Sequence, residues 1–222
     1  MSGYYFQRLI EIFPFFLKGL WMTVAVSVIS LTFGTILGFL LGMMRASNKK
    51  ILTWPIGAYV AVIRGTPLLV QIFIIFFILP EAGIQLDAFP AAALALTILG
   101  TAFICEIVAG GIKAVDKGQW EAAASSGLTI FQQLRLVIVP QALRTILPPL
   151  VGQYVLLIKD SSVVSVIGIT ELTRVGLLTV VRIPEGLMVF GLVGILYFVI
   201  SYPLIRLSNT LERKLAGQEV RL

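Results

Sequence analysis

Five long apolar runs, separated by charged or turn-rich segments, dominate the pattern of this chain: residues 19–44, 57–79, 88–112, 146–170 and 186–205. A helix needs roughly 20 apolar residues to cross the hydrocarbon core of a bilayer, so each run is long enough to be one span. The expected fold is all-α and integral to a membrane, a single transmembrane domain over residues 1–222. The run from Gly19 to Met44 holds no charge, exceeds a signal-peptide core and is followed by no small-residue cleavage pattern, so it is expected to stay in the mature protein. Before it, Tyr4, Tyr5, Phe6, Phe13, Phe15 and Phe16 interleave with Arg8, Glu11 and Lys18, a pattern that predicts a short amphipathic segment at the membrane interface. Gly34, Gly38 and Gly42 recur at every fourth position and predict a close approach by another helix.

Between the third and fourth runs, Lys113 to Arg144 is too polar for lipid and is patterned as two short helices. Asp116 with Gln119, and Thr129 with Gln132, have capping-box spacing at their starts, and Gly127 supplies the break between them. Phe131, Leu134 and Ile138 fall on one face of the second helix and form an apolar ridge that wants a partner. That partner is either the ends of the spans or another protein.

Composition sharpens this picture. Apolar residues make up 58% of the 222-residue chain and charged residues only 13%, with a mean hydropathy of +0.99, so the bilayer is its solvent. The net charge of +6 does not call for nucleic acid, because the basic residues flank the apolar runs. Arg45, Lys49, Lys50, Lys113, Lys117, Arg135, Arg144, Arg206, Arg213, Lys214 and Arg221 fall on one side of a five-span topology. Only Arg8, Lys18, Arg174 and Arg182 fall on the other. The positive-inside rule then places the N-terminus outside and the C-terminus in the cytoplasm. Cys105 is the single cysteine and histidine is absent, which removes disulfides, zinc sites and histidine acid–base chemistry.

Ionisable side chains inside a span are costly unless paired or facing a wet cavity, so Arg64, Glu106, Lys159 and Asp160 each need a reason. One reason is internal neutralisation, with Arg64 snorkelling or bridging to Glu106. The other is a polar cavity in which Glu106 and Asp160 offer carboxylates to a cationic group and Thr66, Ser161 and Ser162 add hydroxyls. Lys159 and Asp160 are sequence neighbours, leaving a helix about 100° apart, and should serve different partners. Gly65 and Pro67, and Pro148 with Pro149, weaken helical backbone where a cavity would profit from freed carbonyls and amides.

Glu121-Ala122-Ala123, Gly127 after three more residues, and Val137-Ile138-Val139-Pro140 after nine resemble the EAA loop of bacterial ABC importer permeases, with valine at the two apolar positions of its closing motif. Three further stretches resemble the polar amino acid permeases of the histidine/glutamine/arginine type. These are Arg64-Gly65-Thr66-Pro67-Leu68-Leu69-Val70-Gln71, Glu106 to Ile112 followed by Gly118-Gln119-Trp120-Glu121, and Lys159-Asp160-Ser161-Ser162 leading into Ser165-Val166-Ile167-Gly168.

The resemblance implies a type I ABC importer permease fold in the bacterial inner membrane. It also implies two ATPase subunits as partners, a second permease copy (a homodimer or a heterodimer) and an extracytoplasmic solute-binding protein. Glu121, Ala122, Ala123, Gly127 and Pro140 would couple to the ATPase, with Pro140 ending the coupling helix. Arg64, Thr66, Glu106, Asp160, Ser161 and Ser162 are the candidate solute contacts, and two carboxylates lean toward a basic amino acid over a polar one such as glutamine. The chain carries no Gly-x-x-x-x-Gly-Lys-Ser/Thr loop, so no cofactor is expected on it, and ATP and its magnesium belong to the partner subunit. An ion-coupled secondary transporter would use the same intramembrane charges but leave the hairpin without a task. A scaffold subunit would use the glycine stripe but not the charges. A membrane enzyme finds no nucleophile–base pair.

Overall fold

The computed structural model describes residues 2–47 and 49–219, and the side chains of residues 7–47 and 49–215. The expectations placed on Tyr4, Tyr5, Phe6 and Arg221 concern side chains outside the described residues. Every element among the described residues is helical. In chain order they are α1 (Ser2–Ala46), α2 (Lys50–Gly65), α3 (Leu68–Phe73), α4 (Ala88–Lys113), α5 (Lys117–Ser125), α6 (Ile130–Gln133), α7 (Val139–Asp160), α8 (Leu172–Val180) and α9 (Gly186–Glu219). A π turn (Ile74–Ile78) and a 3-10 turn (Leu79–Ala82) continue α3, a second π turn (Leu134–Ile138) joins α6 to α7, and a 3-10 turn (Ser161–Ile167) follows α7.

Among the described residues, four helical stretches are long and apolar enough to cross a membrane: Gln7–Ala46, Ala88–Lys113, Ile130–Ile167 and Gly186–Leu215. The expected span over residues 57–79 is a pair of helices, Lys50–Gly65 and Leu68–Ala82, that qualifies only as a broken span or a re-entrant loop. Its break has a local cause. Pro67 lacks an amide hydrogen and disfavours helical backbone at Thr66; Pro67 itself is extended (φ −62°, ψ 137°) and starts α3 as its cap. Toward the other end, the amphipathic segment expected before the first span is not a separate element, because α1 runs through it without interruption, with Pro14 inside.

The chain forms two compact units. The first draws on Met1–Thr32, Thr66–Ile98 and Val155–Pro203. One of its cores packs Val26, Ile72, Ala91, Ala92, Ala95, Leu96, Leu157 and Val164, and a second packs Leu9, Phe16, Leu172, Val175, Val189 and Val193. Ser30 of α1 donates to the Ala93 carbonyl of α4 at 3.2 Å, a polar tie of the kind spans use where apolar association gains little over lipid.

The second unit draws on Phe33–Gly65, Leu99–Tyr154 and Leu204–Leu222. Its larger core holds Ile104, Val108, Ile112, Ile138, Ala142, Ile146 and Leu150. Here the glycine stripe acts as its spacing predicts: a Cβ on Gly38 would lie 2.7 Å from Ile104, and one on Gly42 would lie 2.6 Å from the Cβ of Val108. α1 and α4 therefore touch backbone to side chain along this stretch. Thr35 and Tyr154 share a 2.8 Å hydrogen bond between α1 and α7, and Ser208 donates to the Pro148 carbonyl at 3.1 Å. Large apolar side chains such as Trp21, Phe33, Trp54 and Leu187 stand exposed, the arrangement expected where lipid rather than water surrounds the chain.

Candidate functional site

The hairpin between α4 and α7 lies wholly in the second unit. Asp116 opens α5, its carboxylate accepting from the Gly118 amide at 2.7 Å. The expected capping box does not form: the Asp116 carboxylate reaches the Gly118 amide rather than that of Gln119, and the Gln119 side chain accepts from Gln141 of α7 at 2.9 Å. Along α5, Trp120 packs against the Ile104–Val108–Ile138 core and Ala123 is buried, whereas Glu121 and Ala122 face outward. That division is the one a 3.6-residue repeat imposes.

α5 ends in a Schellman turn. The Leu128 amide donates to the Ala123 carbonyl at 3.3 Å and the Gly127 amide to Ala124 at 3.0 Å, with Gly127 at φ +75°. Only glycine occupies this backbone region without steric cost, so the break assigned to Gly127 follows from its missing Cβ. Thr129 then opens α6 with a complete capping box: Gln132 donates its amide to the Thr129 hydroxyl, and the Gln132 side chain accepts from the Thr129 amide at 2.9 Å.

Two expectations for the second arm are corrected. Pro140 does not end the coupling helix, because it is the second residue of α7. The π turn over Leu134–Ile138 leads straight into α7; Pro140 contributes no amide to the ladder, and its fixed φ suits the first turn of a helix. The ridge of Phe131, Leu134 and Ile138 is also divided. Ile138 is fully buried in the core and Leu134 packs against it, while Phe131 is 70% exposed together with Ile130 and Leu136. The wider π turn accommodates an extra residue between these positions and so rotates the two ends of the ridge apart.

Of the intramembrane charges, Arg64 and Glu106 are brought together, with Arg64 Nη1 3.2 Å from Glu106 Oε2. Arg45, from the end of α1, bonds the same oxygen. The Arg64 guanidinium also stacks over the Phe103 ring, 5.1 Å from its centroid. One carboxylate oxygen is thus shared by two guanidiniums, from α1 and α2, and the cluster keeps a net positive charge. Arg45 was placed among the loop charges by sequence, and only the folded proximity of α1 to α4 identifies it.

The remaining candidates belong to the first unit. Asp160 is the last residue of α7 and half-buried, and it forms no ion pair among the described residues. Ser161 is fully buried and donates to the Ile158 carbonyl at 2.7 Å, closing the end of its own helix. Ser162 is half-buried and Lys159 exposed. Thr66 sits at the break before α3, where Gln71 donates to its hydroxyl at 3.0 Å and to its carbonyl at 3.2 Å.

A group not anticipated from sequence lies just beyond this segment. Glu171 is fully buried and caps α8, accepting from the Thr173 amide at 2.8 Å, the Arg174 amide at 2.7 Å and the Tyr197 hydroxyl at 2.9 Å. Burial pushes its carboxyl above the ordinary glutamate range, and these donors pull it part of the way back.

Apolar membrane-crossing helices and a capped hairpin that turns Glu121 and Ala122 outward define a multi-pass membrane protein with an exposed polar hairpin. The chain belongs to the family of binding-protein-dependent transport system inner membrane components, whose model matches residues 34–217. It is similar to three proteins of Bacillus subtilis (strain 168). The probable amino-acid ABC transporter permease protein YckA is 36% identical, over 93% of this chain and 92% of that one. The probable glutamine ABC transporter permease protein GlnM is 39% identical, over 93% and 96%. The arginine transport system permease protein ArtQ is 34% identical, over 96% and 98%. Among solved structures, an amino acid ABC transporter crystallised with histidines matches with a TM-score of 0.85 and 36% identity, over 94% of this chain and 98% of that one. The inward-facing MetNI methionine transporter shares the fold, with a TM-score of 0.78 at 21% identity. The chain is therefore a permease subunit of an ABC amino-acid importer in the inner membrane.

Proposed function

We propose that this permease carries a basic amino acid such as arginine, lysine or histidine, and that Asp160 receives the cationic group. The observation behind this reading is the contrast between the two intramembrane carboxylates. Glu106 already holds Arg45 and Arg64, whereas Asp160 is half-buried in a span with no ion pair among the described residues. A carboxylate in that position is stabilised by a cation that arrives with the solute. Ser162 and Thr66 are the hydroxyls of the first unit that could join it, and Ser161 acts through the backbone it closes.

In this reading the hairpin is cytoplasmic, the N-terminus is outside, and the permease pairs with a second copy on two ATPase subunits that bind ATP and magnesium. A solute-binding protein delivers the amino acid. Glu121 and Ala122, with the exposed Ile130 and Phe131, meet the ATPase, and Gly127 holds the hairpin closed beneath them.

The test is uptake of labelled arginine and glutamine by liposomes containing this permease, its ATPase and its binding protein. ATP-dependent uptake favouring arginine, with transport but not assembly lost in Glu121→Lys and the arginine preference lost in Asp160→Asn, supports the reading. A preference for glutamine that Asp160→Asn leaves unchanged removes the basic-substrate assignment. Uptake without ATP replaces the importer with an ion-coupled carrier.

A further inference from the structure

Glu171 is a fully buried carboxylate that the transport reading does not use. In a membrane domain such a group persists only where its surroundings satisfy it and something is gained by keeping it. Its surroundings are complete: two backbone amides from the first turn of α8 and the Tyr197 hydroxyl of α9 converge on it. Tyr197 also lies 3.2 Å from the Thr173 hydroxyl, so its hydroxyl is held from two directions.

These bonds lead back to the Asp160 segment. The Arg174 backbone is held by Glu171 at 2.7 Å, and the Arg174 guanidinium donates to the Ser165 carbonyl at 3.3 Å. Ser165 belongs to the 3-10 turn Ser161–Ile167 that directly continues from Asp160. That turn ends at Gly168 with φ +92°, a reversal that brings the chain round to Glu171. On the far side of α8, the Leu172 amide donates to Thr23 of α1 at 3.1 Å. At Gly19 a Cβ would come within 3.1 Å of the Leu172 backbone. α8 is thus pinned between α1 and α9, and it holds the end of the turn whose start bears Asp160.

We propose that Glu171, gripped by Tyr197, is a positioning residue for solute binding, fixing Asp160 and Ser162 through Arg174 and the 3-10 turn. This rests on the assignment of Asp160 as the cation ligand. The mechanism is preorganisation: a binding segment already held in place loses less conformational freedom when the solute arrives. Freeing Tyr197 leaves the fold intact, since α8 keeps its amide cap and its apolar packing, but lets the turn sample other positions.

The experiment measures equilibrium binding of labelled arginine to the permease–ATPase complex without binding protein, alongside basal ATP hydrolysis and the thermal midpoint. Tyr197→Phe deletes the hydrogen bond to Glu171 and the contact with the Thr173 hydroxyl and is expected to weaken binding roughly tenfold, with hydrolysis unchanged and the midpoint lowered by only a few degrees, without loss of the cooperative transition. Glu171→Gln, which turns an amide group toward donors, weakens it further. Combined with Asp160→Asn, Tyr197→Phe adds less than its separate effect, because both act on one contact. Binding reduced by Asp160→Asn but not by Tyr197→Phe overturns the positioning role alone. Binding absent in the wild type, or indifferent to Asp160→Asn, overturns the Asp160 assignment. Parallel loss of binding, hydrolysis and midpoint in Tyr197→Phe reduces Glu171 to a folding role and overturns the proposal.

Discussion

The Arg64 guanidinium stands 3.2 Å from the Glu106 carboxylate, and this contact changes what Glu106 can do. Because Arg45 uses the same oxygen, replacing Glu106 by Gln leaves two guanidiniums facing each other without an anion. The groups are partly exposed, so the expected loss is about 1–3 kcal/mol in unfolding free energy, below that of a fully buried pair. In a double-mutant cycle, Glu106→Gln and Arg64→Gln should be strongly non-additive, the second change relieving part of the first. Additive effects would show that the contact does not operate in the bilayer.

The close approach of α1 and α4 gives a steric prediction. Gly42→Ala places a methyl 2.6 Å from the Cβ of Val108 and near the Cys105 carbonyl, and should cost about 1–3 kcal/mol. Val108→Ala should recover little of that loss, because it removes only the 2.8 Å contact with Cγ1 and leaves those with the Cβ and the Cys105 carbonyl. Gly57 in α2 has open space where a Cβ would stand, so Gly57→Ala is expected to gain up to about 1 kcal/mol from helix propensity. Thermal midpoints in detergent distinguish the pair.

At the hairpin, Thr129→Ala removes the hydroxyl half of a capping box, leaving the backbone amide bond to Gln132, and should destabilise the start of α6 by about 1 kcal/mol. The readout is local: amides of residues 130–138 exchange faster while those of α4 do not change. Gly127→Ala, at φ +75°, should loosen the same segment from its other side.

Glu171 predicts a pH dependence whose sign follows from linkage. Its folded carboxyl titrates above the unfolded one because burial penalises the charged form. The folded state therefore holds the proton more tightly, and the resulting stability is fully present below the unfolded value and lost as pH rises through the folded one. Between acidic buffer and neutral pH the thermal midpoint should fall more in the wild type than in Glu171→Gln. Equal slopes would show that the carboxyl is not perturbed by its burial.

The family was readable in the hairpin because its motifs are local. Asp116, Gly127 and Thr129 act on backbone groups within five residues, and Glu121-Ala122-Ala123 keeps its spacing on any helix. The all-α membrane class was equally legible, since long apolar runs leave few alternatives where every backbone polar group must be satisfied internally. The glycine stripe announced that some helix approaches closely, but its partner, Ile104 and Val108 of α4, depends on packing.

The Arg64–Glu106 bridge was one of the two readings the sequence left open, and tertiary structure chose it and supplied the partners that no pattern named. Arg45 lies 61 positions from Glu106 and Tyr197 lies 26 from Glu171, and no periodicity links residues on different helices. The π turn before α7 was also invisible in a pattern that assumed 3.6 residues per turn, and it is why Phe131 and Ile138 part company and Pro140 falls inside a helix. Sequence thus determined the solvent, the helices and the family of this protein, because those follow from local composition and backbone chemistry. The choice among its possible polar pairings, and the recruitment of Arg45 and Tyr197 to them, was left to the fold, because long-range contacts exist only once helices distant in sequence have packed.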